Sequence, residues 1–294
     1  MRPPAYRCAG TLEEACALMA GPGASRVIAG GTDLIPELRR PDAPGWDLLV
    51  DIGRLDGLRG IGGEGPRIRI GALSTHAELA RSEVLIRRAR FLAEAAGMVG
   101  SAQIRNRGTL GGNIMNAAAC ADTLPPLVAL DAVAHLRSTA GERAVPIARF
   151  FAGSYATTAR RDEILTHVEF TLPRAGAGTC FLKLGRRAAV SIARLSVAGL
   201  VARDASGRIQ DARIVPGAAL PVWERMEEAE ELLRGRSPSR ELFAEAGRAA
   251  SAAVIRRIGR RWSTEYKEPV LAVLVRRALE VCCTREGTSA GAPS

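Results

Sequence analysis

The sequence predicts an α+β chain in two parts: a mixed helix-and-strand portion to about residue 175, then a small antiparallel sheet with helices. Three observations carry this. Short apolar strands alternate with capped helical runs near the start. Stretches such as "RIRIGAL" alternate apolar and polar residues at period two. The last third holds one hairpin pattern and three helical runs.

Taken in order, "TLEEACALMAG" reads as a helix capped by Thr11, with Glu13 and Glu14 in its positive first turn and Gly21 after its end. "SRVIAGG" follows as a strand ending in paired glycines, and "TDLIPELRR" opens a helix with Pro36 near its first turn. "DLLVDIG" and "RIRIGAL" are strands, and residues 74–100 carry two helical patterns. "DAVAHLRS", "ERAVPI" and "EILTHVEFTL" are strand-like. Beyond them, "FLKLGRR" and "SVAGLVARD" are strands, and "DASGR" turns the second into "IQDARIVPGA". Three helical runs close the fold, and the polar end at 285–294 reads as a flexible tail.

Composition excludes several classes. At 294 residues with 47% apolar and 24% charged side chains, the chain is globular rather than disordered. It has no apolar run long enough for a membrane span and no signal-peptide pattern, so a cytoplasmic location is expected. The six cysteines form no C-x-x-C pair and have no histidine at ligand spacing, so no metal or cluster is expected on this chain. The net charge of +10 is almost all arginine, scattered and without interleaved aromatics, which argues against nucleic acid.

"GIGGEG" (60–65) satisfies G-x-G-x-x-G but precedes a strand-like run, so it reads as a hairpin and not as a dinucleotide turn. "VIAGGTDLIPEL" does have strand, turn and helix start in order. Its amides at Gly31, Thr32, Asp33 and Leu34 could converge on an anion, with Asp33 as the cap. A second glycine loop lies in "RNRGTLGGNIMNAAACADTLPPLVALDA". There Thr109 offers a hydroxyl, Gly111 and Gly112 leave room for a ligand, and Asn113 and Asn116 offer amides. Asp122 stands before a helix with prolines in its first turn. His76, His135 and His167 are far apart in sequence, and the latter two sit in strand patterns as structural residues. No acid–base or nucleophile constellation is present, so no catalytic residue is expected. Two glycine loops without such machinery suggest a held cofactor that carries the chemistry.

These stretches, with "FFAGSYATTARRDEILTHVEF", "FLKLGRRAAVSIARLSVAGL" and "STEYKEPVLAVLVRRALE", resemble the FAD-binding (medium) subunit of molybdenum hydroxylases, the xanthine dehydrogenase and carbon monoxide dehydrogenase family. The resemblance covers nearly the whole chain in order. It implies an FAD-binding domain over 1–175, made of two α+β subdomains at about 1–55 and 56–175, and a C-terminal sheet-and-helix domain over 176–284. It places one cofactor loop at Val27, Ile28, Ala29, Gly30, Gly31, Thr32, Asp33 and Leu34, and the other at Thr109, Leu110, Gly111, Gly112 and Asn113. Asp122 would meet the adenosine portion or its ribose, Leu165 would pack near the flavin, and Lys183 would reach a flavin oxygen. The family's usual Ser-Pro or Thr-Pro pair is replaced by Ala118-Ala119, which removes a rigid turn.

The implied function is electron transfer. The chain would accept electrons from two [2Fe–2S] clusters on a small partner subunit and pass them to NAD, a quinone or oxygen. Molybdopterin would sit on a large partner subunit, in a heterotrimer that can pair into a dimer of heterotrimers. "GGN" and "RRAAVSIARLSVA" lean toward xanthine or N-heterocycle hydroxylases. The competing readings are a stand-alone flavin oxidoreductase and a non-redox scaffold that has lost FAD.

Overall fold

The structure is a computed structural model that describes residues 3–187 and 190–284; the tail expected at 285–294 lies outside the described residues. It is α+β throughout, and its residues group into two compact units that interleave along the chain.

The first unit runs to Leu79 and takes in Ser101–Ala118 and Ala132–Thr171. Strands β1 (Ala5–Cys8), β2 (Ser25–Ile28) and β3 (Leu48–Asp51) form a parallel sheet in the order β1-β3-β2. Helix α1 (Leu12–Ala20) packs Ala15, Cys16 and Met19 into one cluster with Val50 and Ile52. Thr11 accepts from the Glu14 amide at 3.1 Å, and the Glu14 carboxylate accepts from the Gly10 N–H, one residue before the cap, at 2.7 Å. A short helix, α2 (Leu34–Leu38), follows β2.

The unit's second sheet joins β4 (Ile61–Gly62), β5 (Arg67–Gly71), β6 (Val133–Ser138) and β7 (Gly141–Pro146), with β8 (Phe151–Gly153) and β9 (Ala156–Thr157) as a separate hairpin. The long strand β10 (Ile164–Thr171) lies at the centre of this sheet, giving the order β4-β5-β10-β6-β7. "GIGGEG" is therefore a hairpin turn, as its context requires.

Two helical expectations are corrected. Residues 74–100 hold three short helices, not two: α3 (His76–Arg81), α4 (Glu83–Arg88) and α5 (Arg90–Gly97). Ser82 caps α4 by accepting from the Leu85 amide, which separates it from α3. The second glycine stretch is not an open loop but two helices, α6 (Ala102–Arg107) and α7 (Leu110–Asn116), capped by Ser101 and Thr109. Two serine/threonine caps outweigh a glycine pair that disfavours helix by about 1 kcal/mol each.

The second unit comprises Ala80–Gly100, Ala119–Asp131 and the chain from Leu172. Helix α8 (Leu124–Ala129) has its prolines at the first turn, where their missing N–H costs nothing. Strands β11 (Gly178–Leu184), β12 (Leu195–Arg203) and β13 (Ile209–Gly217) form an antiparallel meander. Helices α9 (Glu227–Leu233), α10 (Arg240–Ile258) and α11 (Thr264–Thr284) complete the unit. β12 is buried along eight consecutive residues because both faces are covered. Gly199 admits Cys282 and Ala278 of α11 on one side, while α8 lies against β12 and β13 on the other. No helix among the described residues is long and apolar enough to cross a membrane.

Candidate functional site

The first glycine segment grows out of β2, which places Val27 and Ile28 beside Val50 and Asp51 of β3. Ala29 to Asp33 then turn, with Gly31 in the left-handed region at φ +71°, and Leu34 opens α2. The amides of Gly30, Gly31, Thr32, Asp33 and Leu34 donate to no group among the described residues. A run of unpaired amides around a left-handed residue forms a concavity suited to an anion. Two expectations change here. Asp33 makes no side-chain cap bond, and α2 is a five-residue helix, so the amides and not a long helix dipole supply the positive end.

The second segment packs directly on the first. A Cβ on Gly30 would lie 2.0 Å from the Arg107 carbonyl oxygen, so only glycine lets the two chains meet there. A Cβ on Gly108 would lie 3.4 Å from the Thr32 hydroxyl, an ordinary contact, so the close approach is confined to Gly30. The second segment's own amides are spent, however. Leu110 donates to Ser74 O, Gly111 to Ala72 O, Gly112 to Thr109 Oγ1 and Asn113 to Thr109 O, all at 2.8–3.0 Å. Thr109 accordingly acts as a helix cap. Gly111 serves chain packing, since a Cβ there would meet Ala72 at 2.7 Å. Gly112 is the exposed glycine of the pair. This segment packs behind the first glycine turn, and its own amides are committed within the protein.

His76 is a supporting residue that the sequence did not single out. Its amide donates to Gly108 O at 3.0 Å, its ring is 2% exposed, and its Nδ1 has no partner among the described residues. Burial, reinforced by the Arg105 charge, pushes its pKa down to about 4. Because the folded value lies below the ordinary 6.5, this group's contribution is present above pH 6.5 and lost as pH falls toward 4. His167 is lowered to about 4 as well, mainly by burial, so both act in one window. Urea denaturation of wild type and His76→Gln at pH 7 and pH 5 checks this. The stability difference between the two pH values should shrink in the variant and not vanish, whereas an unchanged difference would refute the assignment.

In the second unit, Lys183 on β11 donates to Asp122 Oδ2 at 2.6 Å and to the Met98 carbonyl at 3.0 Å. Both side chains are buried, at 9% and 6% exposure, yet Asp122 Oδ1 has no partner among the described residues. Burial raises the Asp122 pKa to about 6, against the opposing pull of Lys183. The resemblance assigned Asp122 and Lys183 to different portions of the cofactor; in the structure the two side chains form a direct ion pair. Leu165 sits on β10 opposite Leu136 and is 3% exposed, so its side chain belongs to the core.

The Ala118-Ala119 substitution leaves an ordered segment. Ala117 ends α7 in the left-handed region at φ 49°, and its carbonyl accepts from the Tyr155 amide at 2.8 Å. Ala119 O accepts from the Ala218 amide at 3.1 Å. Backbone bonds thus pin a turn that a proline would otherwise stiffen.

Residues 2–174 match the FAD binding domain in molybdopterin dehydrogenase, and residues 180–281 match the CO dehydrogenase flavoprotein C-terminal domain. The chain is 32% identical to the nicotine 6-hydroxylase medium subunit of Paenarthrobacter nicotinovorans, over 95% of this chain and 98% of that one. It is 34% identical to the putative xanthine dehydrogenase FAD-binding subunit of Escherichia coli (strain K12), over 77% of each. Its fold superposes on a chain of the carbon monoxide dehydrogenase from Hydrogenophaga pseudoflava that lacks the Mo-pyranopterin moiety of its cofactor. That match has a TM-score of 0.88 and 31% identity, and covers 97% of this chain and 100% of that one.

Proposed function

Because the chain belongs to the FAD-binding subunit family of molybdenum hydroxylases, we propose that it holds FAD with the residues described above and serves as the electron outlet of a multi-subunit dehydrogenase. The observation that carries the site assignment is the run of five unpaired amides from Gly30 to Leu34, which suits a pyrophosphate. Val27, Ile28 and Ala29 deliver that turn, and Thr109, Leu110, Gly111, Gly112 and Asn113 fix it from behind. Asp122 Oδ1 needs a donor, which a hydroxyl or N–H of the cofactor supplies. Two of the three Lys183 protons are committed, so one remains for a ligand oxygen, with the ammonium charge beside it.

When bound, FAD supplies the two-electron carrier that the side chains lack. The protein's part is to hold the cofactor, keep a cation near an oxygen that gains negative charge on reduction, and exclude water around the Asp122–Lys183 pair. The partners in this reading are a large molybdopterin subunit and a small subunit with two [2Fe–2S] clusters. The domain division at 175 and the N-heterocycle lean belong to the same proposal. The nicotine 6-hydroxylase relative, matched over nearly its full length, supports that lean.

The test is reconstitution of the purified chain with excess FAD, followed by removal of free cofactor and heat release of what remains. One FAD per chain is expected. Retention of none, with the chain shown folded by circular dichroism, would overturn the proposal.

A further inference from the structure

His135 and His167 are 32 positions apart in the sequence, but β6 and β10 set them directly opposite each other, with Glu169 two residues along the same strand. The face is half-solvated. Val133, His135 and Arg137 are partly exposed, whereas Ala134, Leu136 and Ser138 between them are buried. The imidazoles stack with centroids 4.2 Å apart and planes 10° apart. One ligand atom from each of His135, His167 and Glu169 falls within 4.8 Å of the other two.

A third contact prepares one ring. The Thr166 hydroxyl donates to the His135 carbonyl at 3.1 Å and lies 2.9 Å from His167 Nδ1. A hydroxyl has one proton, so both contacts are satisfied only when His167 Nδ1–H donates to Thr166. That tautomer leaves His167 Nε2 with a free lone pair, the form a metal takes, and a second partner holds the ring in place. We propose that His135, His167 and Glu169 form a site for a divalent transition metal of the zinc class, bound across β6 and β10.

Two imidazoles and one carboxylate suit Zn²⁺ and its neighbours, with a fourth position left to water. At usual zinc–nitrogen distances, tetrahedral ligands lie about 3.4 Å apart, so side-chain rotation must unstack the two rings and close the pairs by up to about 1.4 Å. The opposing interaction is weak. Among the described residues Glu169 has one ion pair, to Arg67 at 3.7 Å, and the Arg67 side chain is 74% exposed. Arg69, which pairs with Glu169 in register on β5, and Arg137, two residues from His135 on the same face of β6, are further cations nearby. The site would act as a cross-strand staple in the antiparallel sheet, separate from the glycine turn.

The test uses the full chain after removal of any affinity tag. Zn²⁺ binding is followed by calorimetry, and Co²⁺ is added as a reporter of coordination by its visible absorption. One ion per chain with micromolar affinity is expected, together with a rise in Tm. His135→Gln and His167→Gln should each weaken binding by about a hundredfold. Thr166→Val, which does not touch the metal, should weaken it by about tenfold. His76→Gln, with its ring outside the cluster, should bind as wild type. Circular dichroism establishes that each variant is folded. Equal Zn²⁺ affinity in wild type and in both histidine variants, or no binding below millimolar Zn²⁺, would overturn the proposal.

Discussion

Gly30→Ala is expected to lower FAD affinity by about a hundredfold. The added methyl would sit 2.0 Å from the Arg107 carbonyl oxygen and 2.8 Å from its carbon, a backbone contact that no rotamer can relieve. Overpacking of this kind costs about 1–3 kcal/mol, and the rigid carbonyl places it at the upper end. At about 1.4 kcal/mol per tenfold, that is close to the stated loss if the turn moves to make room. Gly112→Ala is the contrast. Its methyl would meet only the Thr109 hydroxyl, at 2.9 Å, and alanine is favoured over glycine in a helix. That hydroxyl must shift to make room, so the fold should survive there with only a small change in Tm. FAD titration and thermal unfolding of both variants read the difference, and wild-type FAD affinity in Gly30→Ala would refute the role given to the glycine turn.

Lys183→Met should destabilise the chain by roughly 3–5 kcal/mol at neutral pH, because it leaves a carboxylate buried with neither oxygen paired. The double variant Lys183→Met with Asp122→Leu should recover most of that loss, since an apolar pair of similar volume carries no stranded charge. The pH dependence has a definite sign. The folded Asp122 pKa of about 6 lies above the ordinary 3.8, so the folded state binds more protons between those values. This group therefore lowers stability as pH rises from about 4 to about 6. Asp122→Asn should remove that limb. His76 works in the opposite direction over an overlapping range, so each curve is compared with wild type and not with theory alone. Urea denaturation from pH 4 to 8 measures both effects. A Lys183→Met variant as stable as wild type would show that the pair contributes nothing.

How much of this was legible depended on how local each feature is. The α1 cap is written within five residues, Gly10 to Glu14, and the alternation of "RIRIG" is its burial pattern. The first glycine turn follows from strand, glycine pair and helix start in sequence. The helices of the second stretch are not legible in the sequence, because glycine serves chain packing and ligand approach equally well. Only the position of Ala72 shows that Gly111 does the former. The Lys183–Met98 bond spans 85 residues and uses a carbonyl, so no side-chain pattern announces it. The facing histidines depend on strand register, which is a property of the sheet and not of either segment alone.

Amide hydrogen exchange with and without FAD tests the central claim most directly. The amides of Gly30, Gly31, Thr32, Asp33 and Leu34 have no partner among the described residues and should exchange quickly in the FAD-free chain, then slow markedly when FAD is bound. Those of Leu110 to Asn113 already donate within the protein and should be protected in both states. Saturating FAD that leaves the exchange of residues 30–34 unchanged would contradict the account.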